Sequence, residues 1–512
     1  MIYTIGVLAL SLLAGAGAWA ATATGVVYHD KNGDGVFNKG DKPLRGIKVS
    51  NGRAIVKTDK KGRYSLEVDG ATVLFVLKPS GWRTPLSQDN LPLFYYIHHP
   101  EGSPALDYAG VAPTGPLPES VDFALYRQKE PKKFRALLFA DPQPRDQREI
   151  DYIAHDVVEQ LVGTDAAFGV TLGDILFDDL SLFGSINRTI GLIGIPWYNV
   201  VGNHDINFDA AGDFDSNATF TRVYGPPYYS FDYGEAHFVV LDNVEWHGAT
   251  AEKKGFYRGA LDEDQLEFLR NDLALVDEDR LLVLFMHVPL NDVDNRQELY
   301  RLIEERPFTL SFSGHTHYQE HRFIGAGDGW RGPEPHHHVV TVAVSGSWWS
   351  GAPDERGIPH TLMRDGAPNG YGLVSFDGRD YTFDFRAASE PADYQMNIHA
   401  PEVVGIDTAG RATVRVNVFS GSERSTVEMR LGGGEWRRLE RRPQRDPYFL
   451  AAQAREKASD AVERPLPFSG KSSHIWQGNL PAPPPAGTHL LRVRSRDMFG
   501  RVFEAARVIR VE

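Results

Sequence analysis

The chain has 512 residues, which at roughly 100–200 residues per domain allows about three domains. Apolar residues make up 42% and charged residues 24%, the balance of an ordinary globular chain with ample core. A net charge of −14 argues against nonspecific nucleic-acid binding, and the lack of cysteine excludes disulfides, thiolate metal sites and lipid attachment at a cysteine.

An apolar stretch, Ile5 to Ala16, is followed by Ala18-Trp19-Ala20, a small-x-small pattern that suits signal cleavage after Ala20. The run is shorter than the ~20 residues a membrane span needs. Residues 1–20 are therefore expected to be a signal peptide, although no Lys or Arg precedes the apolar run. The mature protein is expected to be exported, periplasmic or secreted in a bacterium, and to have no membrane span.

Residues 21–130 are rich in short alternating segments. Ile47-Lys48-Val49 and Ile55 to Thr58 flank Asn51-Gly52, a hairpin turn signal, and Tyr64 to Val68 follows Lys61-Gly62. This spacing predicts a small all-β sandwich. Near its start, Asp30, Asn32 and Asp34 alternate ahead of Gly35, with Asn38 and Asp41 beyond. Alternating oxygen ligands with glycine at the sixth position fit a calcium loop. The pattern resembles the D-x-N-x-D-G loops of bacterial surface β-modules, and a calcium ion would stiffen it; the blander reading is a polar turn with no ion.

Residues 131–388 alternate apolar runs with helical patterns. Ala136–Ala140, Phe168–Leu172, Trp197–Val201, His237–Leu241 and Leu281–Phe285 read as buried strands, and Ile150–Val162 and Asp262–Leu275 as helices. This predicts an α/β domain with its sheet covered on both faces. Residues 389–512 return to alternation: Val414, Val416 and Val418 share one strand face, and Leu491 and Val493 another. A second all-β sandwich is expected there, with Pro481 to Pro485 as a Pro-rich connector.

Polar clusters follow five apolar runs of the middle region: Asp141-Pro142-Gln143, Gly173-Asp174, Gly202-Asn203-His204-Asp205, His287, and Gly314-His315-Thr316-His317. In open α/β sheets the strand C-terminal ends form the ligand crevice, so distant clusters can converge. Carboxylate, amide and imidazole suit hard or borderline divalent metals. Two ions about 3.5–4 Å apart can clamp an in-line displacement and supply hydroxide near neutral pH.

In order and type, the clusters resemble those of the calcineurin-like metallophosphoesterases, in particular a bacterial exported subgroup with flanking β-modules. The resemblance implies a central four-layer α/β/β/α domain between two all-β sandwich domains. It implies two divalent ions (Mn, Zn, Fe or Mg), with Asp141, Gln143 and His317 on the first, Asp174 bridging, and Asn203, His287 and His315 on the second. It leaves His204 to act as general acid or transition-state stabiliser, with Asp205 orienting its ring. Gln143 stands where the commoner pattern has histidine, which is expected either to weaken the first site or to shift it towards Mn or Mg.

Beyond the clusters, Trp348 and Trp349 lie in Ser345 to Gly351 and suggest aromatic faces for a substrate, against the alternative that both pack between domains. His336-His337-His338 reads as a solvated strand entrance rather than a metal site; Arg145 and His321 each follow a metal cluster closely and are expected either to contact phosphate oxygens or, on the blander reading, to form surface ion pairs. The expected function is hydrolysis of a phosphomonoester or phosphodiester, on a small phosphorylated substrate, by metal-bridging hydroxide. The alternative is a catalytically weak or inactive surface or carbohydrate-binding protein that works through its sandwiches. A Ser-His-Asp hydrolase is disfavoured because no G-x-S-x-G elbow is present.

Overall fold

In the strand Lys133–Phe139, Ala136 and Leu138 share a core with Phe238, Val283 and Phe312 of a second sheet, while Leu137 and Phe139 face the other way. The latter pack on Ile150, Ile153, Phe183 and Ile186 of the helices Gln147–Ile153 and Phe183–Gly191. On the far side of the second sheet, Val239, Leu282 and Leu284 meet Leu266, Leu269, Leu299 and Ile303 of the helices Glu263–Leu273 and Arg296–Ile303. Strands buried on both faces thus produce four layers, helix on sheet on sheet on helix. The computed structural model describes residues 21–250, 252–459, 462–481 and 485–512. The expected signal at 1–20 and residues 482–484 of the Pro-rich connector lie outside them.

In the first sheet Trp197–Asn199, Phe168–Thr171 and Lys133–Phe139 run parallel, and Gly370–Asp377 and Asp380–Ala387 add antiparallel strands. In the second, Ala236–Val240, Leu281–Phe285, Thr309–Ser313 and His336–Val340 are parallel, edged by Tyr229–Tyr233 and Glu320–Ile324. The helix expected from Ile150 to Val162 begins at Gln147, capped by Asp146, and after Ile153 widens into a π turn, Ala154–Val158.

His336, His337 and His338 are not a solvated strand entrance; all three are buried. Hydroxyls of the neighbouring strand meet the rings: Ser311 Oγ is 2.7 Å from both His336 Nε2 and His338 Nδ1, and Ser313 Oγ is 3.0 Å from His338 Nε2. Burial drives these imidazoles down, His336 to about 3, so they sit in the core uncharged. His321 is half-buried, between His337 and Ser420 at 2.9 Å each, rather than at a surface ion pair.

The N-terminal module has two sheets, one around Ala21–His29 and one ordered Ile55–Lys57, Lys48–Ser50, Thr72–Val76, Tyr95–His98. It is fastened to the middle layers by Lys48 on Asp272 at 3.1 Å and by Lys78, whose buried Nζ donates to the Asp232 carbonyl at 2.5 Å. The C-terminal module also has two sheets, with Val414, Val416, Leu491 and Val493 inside. It adds a helix that alternation did not suggest, Pro447–Lys457, capped by Asp446 onto the Phe449 amide. Among the described residues no helix is long and apolar enough to cross a membrane.

Candidate metal centre

All five polar clusters leave the C-terminal ends of parallel strands, three from the first sheet and two from the second, so they meet where the sheets abut. Gln143 Nε2 donates to Asp174 Oδ2 at 2.8 Å. His287 Nε2 is 3.2 Å from Asp174 Oδ1, 3.1 Å from Asn203 Oδ1 and 3.2 Å from His315 Nδ1. His317 Nε2 is 3.7 Å from Asp141 Oδ1, and the His315 amide donates to Asp141 at 2.9 Å. Donor atoms of Asp174, His287 and His315 all lie within 4.8 Å of one another.

This convergence is held against backbone preference. Asp141, Gln143, Asp174, His315 and His317 all adopt positive φ, from 39° to 74°, a region side-chain-bearing residues avoid. Such strain persists only where surrounding structure imposes it, and it gathers at functional sites. Gly202 is required by close approach: a Cβ there would come 1.9 Å from the Asp174 amide nitrogen.

The ring orientations are fixed from outside. His287 Nδ1 faces the Leu172 carbonyl at 2.8 Å, and His317 Nδ1 faces the Gly346 carbonyl. A carbonyl only accepts, so each Nδ1 carries a proton and each Nε2 is the nitrogen turned towards the site. Burial lowers His317 to about 4, and burial with the His287 charge lowers His315 to about 3. Burial raises Asp141 to about 7. Burial opposes charge on His287 too, but Asp174 and Asp141 lift it to about 9. Gln143 Oε1, buried with no partner, is an acceptor still without a donor, and leaving it so costs about 1–3 kcal/mol. The donor set therefore fits divalent cations.

Residues 134–319 match the family model described as calcineurin-like phosphoesterase. Residues 31–108 match the model of that family's N-terminal part and residues 338–503 that of its C-terminal part. The chain belongs to the calcineurin-like phosphoesterases. It is accordingly a metal-dependent phosphoester hydrolase that takes divalent metal ions. No curated protein matches it. A purple acid phosphatase, PPD1, from yellow lupin (Lupinus luteus) seeds is similar at 15% identity over 72% of this chain and 67% of its own, with a TM-score of 0.36. That likeness is too slight to bear on chemistry.

Within this phosphoesterase, His204 stands apart from the ring of donors. Its Nδ1 is 2.6 Å from Asp178 Oδ1, its ring stacks on Phe177, and its amide donates to Asp174 at 2.9 Å. Asp205 does not orient the ring as expected. Its oxygens accept from the amides of Ile175, Leu176 and Gly202 at 2.9–3.1 Å, which fixes the turns beneath Asp174. Asp178 was missed, although it follows Asp174 by one helical-turn spacing and itself has positive φ.

The two tryptophans differ. Trp349 is 1% exposed and its indole donates to the Pro142 carbonyl at 2.9 Å, so its face is not open to a ligand. Its large ring closes the core under the Asp141 turn. Trp348 is part-buried, with its ring 4.4 Å from that of His317. Far from this centre, the Asp30–Asp41 loop closes on itself. Asp30 accepts from the Gly33 and Gly35 amides, Asn32 and Asn38 donate to Asp34, and Asp41 accepts from the Lys31 and Asn38 amides.

Proposed function

We propose that this protein is an exported phosphoesterase that hydrolyses a phosphomonoester or phosphodiester of a small molecule at two divalent ions. One observation carries the reading: seven inward-facing donors from five strand ends converge, leaving Gln143 Oε1 unsatisfied. Asp141, Gln143 and His317 would hold one ion, Asn203, His287 and His315 the other, and Asp174 both. When bound, such a pair supplies Lewis acidity and a water of lowered pKa.

The remaining chemistry belongs to the chain. Asp178 keeps His204 protonated and aims its Nε2 at the leaving oxygen, to which His204 donates the proton. The Leu172 and Gly346 carbonyls hold the two imidazoles in register. Gln143, a neutral oxygen donor, favours Mn or Mg over Zn at the first position. Export rests on the apolar run before Ala20. In the N-terminal module, the alternation of Asp30, Asn32 and Asp34 ahead of Gly35 is the basis for calcium as a stiffening ion, tested by a rise in Tm on calcium addition.

The test is a screen in which stripped protein is reloaded with Mn, Zn, Fe or Mg and offered phosphomonoesters and phosphodiesters. Turnover above that of Asp174→Asn is expected with at least one metal. Equal rates throughout would sink the proposal.

A further inference from the structure

The rings beside the metal centre form a chain closed by arginine. Phe177 stacks on His204 with centroids 4.7 Å apart, and the Arg145 guanidinium lies 4.1 Å from the Phe177 ring centre. On its other side, Arg145 Nη1 donates to the Trp348 carbonyl at 2.9 Å, and the Trp348 ring rests on His317. Arg145 therefore stands at the mouth of the centre, between the free histidine and a metal-facing one.

A second guanidinium reaches this place from the C-terminal side of the chain. Arg464 Nη1 is 2.7 Å from Glu149 Oε1 and 3.4 Å from the Trp348 carbonyl. Glu149 is the shared anion: its side chain is 2% exposed, and it already accepts from the Arg145 amide at 2.8 Å and from Arg145 Nη1 at 3.3 Å. Nearby, Arg148 pairs with Glu463 and Asp146 caps its helix, so neither acid offsets the pair. Two cations thus share the Glu149 carboxylate, with Asp178 also within electrostatic reach of Arg145. Among the described residues only Nη1 of each guanidinium has a side-chain or carbonyl partner, which leaves Nε and Nη2 of both without one. The side chains are 26% and 40% exposed, so these donors face solvent at the cleft.

We infer that Arg145 and Arg464 form a subsite for a second oxyanion on the substrate, so that preferred substrates are phosphoesters carrying a further phosphate or carboxylate. The inference rests on the phosphoesterase reading of the metal centre. Guanidinium forks match planar or tetrahedral oxyanions with paired N–H bonds, which an ammonium cannot. Because Arg464 comes from beyond the central sheets, it selects substrate without touching the chemistry.

The metal-loaded full chain is titrated calorimetrically with short alkylphosphonates, and with the same chains ending in carboxylate or in a second phosphonate. Doubly anionic probes are expected to bind about tenfold tighter than singly anionic ones. In Arg464→Gln the ratio of the two Kd values falls towards one, and in Arg464→Lys it falls partway. Whichever series gains, carboxylate or phosphonate, names the second anion. If Arg464→Gln weakens both kinds of probe equally, Arg464 only holds the Trp348 loop and the subsite is wrong. A native protein with no preference for double anions overturns it too, while leaving the phosphoesterase reading intact. Failure to bind even singly anionic phosphonates overturns both.

Discussion

His204 Nδ1 lies 2.6 Å from Asp178 Oδ1, whereas the carboxylate of the adjacent Asp205 is taken up by backbone amides. The pairing has a consequence for pH. Burial opposes charge on His204, but Asp174 and then Asp178 raise its pKa above the usual 6.5. Removing Asp178 therefore lowers that pKa, and His204 loses its proton at lower pH. Asp178→Asn is expected to cut kcat about 10–100-fold. It should also move the basic limb of the kcat–pH profile downwards. An unmoved limb would show that Asp178 does not set the protonation of His204.

Metal content separates the ligands from His204. His204→Ala is expected to keep its ions and lose about 10²–10⁴ in kcat. Asp174→Asn should lose both ions, because its two oxygens face both halves of the donor set. Gln143→Ala should bind fewer ions than the native chain while His287 and its neighbours keep theirs. Stoichiometry by elemental analysis after gel filtration decides each case. Metal loss in His204→Ala would move that residue into the ligand set.

The donor set was legible because each donor follows an apolar run, so a one-dimensional pattern marks a strand end. Leu281–Phe285 is a strand over the very residues that read as one. What was not legible depends on distance along the chain. Arg464 meets Glu149 across 315 positions, and nothing local marks either partner. His336 to His338 looked solvated because imidazole is polar, but Thr309, Ser311 and Ser313 on the next strand supply the hydrogen bonds that burial of His336 and His338 requires, and His321 and Tyr381 supply those of His337. The helix Pro447–Lys457 was missed although Asp446 and Pro447 form a cap and first-turn pair. Its apolar residues lie around the helix rather than along one stripe, so periodicity could not reveal it.

His237 gives a stability prediction away from the metals. It is buried, with Asp232 at 2.7 Å and Asp272 at 2.9 Å. Burial opposes its charge, yet Asp272 and Asp232 raise its pKa above 6.5. A raised folded-state pKa stabilises fully below the unfolded value, and the gain disappears as pH rises through the folded value. Asp272 is held below its usual 3.8 by His237 and Lys48 against its own burial, so its contribution is lost as pH falls below that value. The Tm of the native chain should thus decline on the alkaline side of 6.5 and again under acid. His237→Gln should cost about 3–5 kcal/mol near neutrality and flatten the alkaline decline. Parallel Tm–pH curves for the two proteins would refute the linkage.

The paired tryptophans should separate stability from binding. Both adopt positive φ, 59° for Trp348 and 50° for Trp349, yet the Trp348 ring meets His317 while the Trp349 ring meets Tyr152. Trp349 fills core beneath Pro142 and packs against Tyr152, so Trp349→Ala should cost about 3–5 kcal/mol. Because Pro142 lies between two donors of the metal centre, that loss should also loosen metal binding. Trp349→Phe, which keeps most of the ring and loses the indole N–H, should cost about 1–3 kcal/mol through the unpaired Pro142 carbonyl. Trp348 lies on the open side against His317, so Trp348→Ala should leave Tm within a few degrees and raise KM severalfold. Thermal unfolding together with KM on the best substrate of the metal screen tests the division. It fails if Trp348→Ala proves the more destabilising of the two.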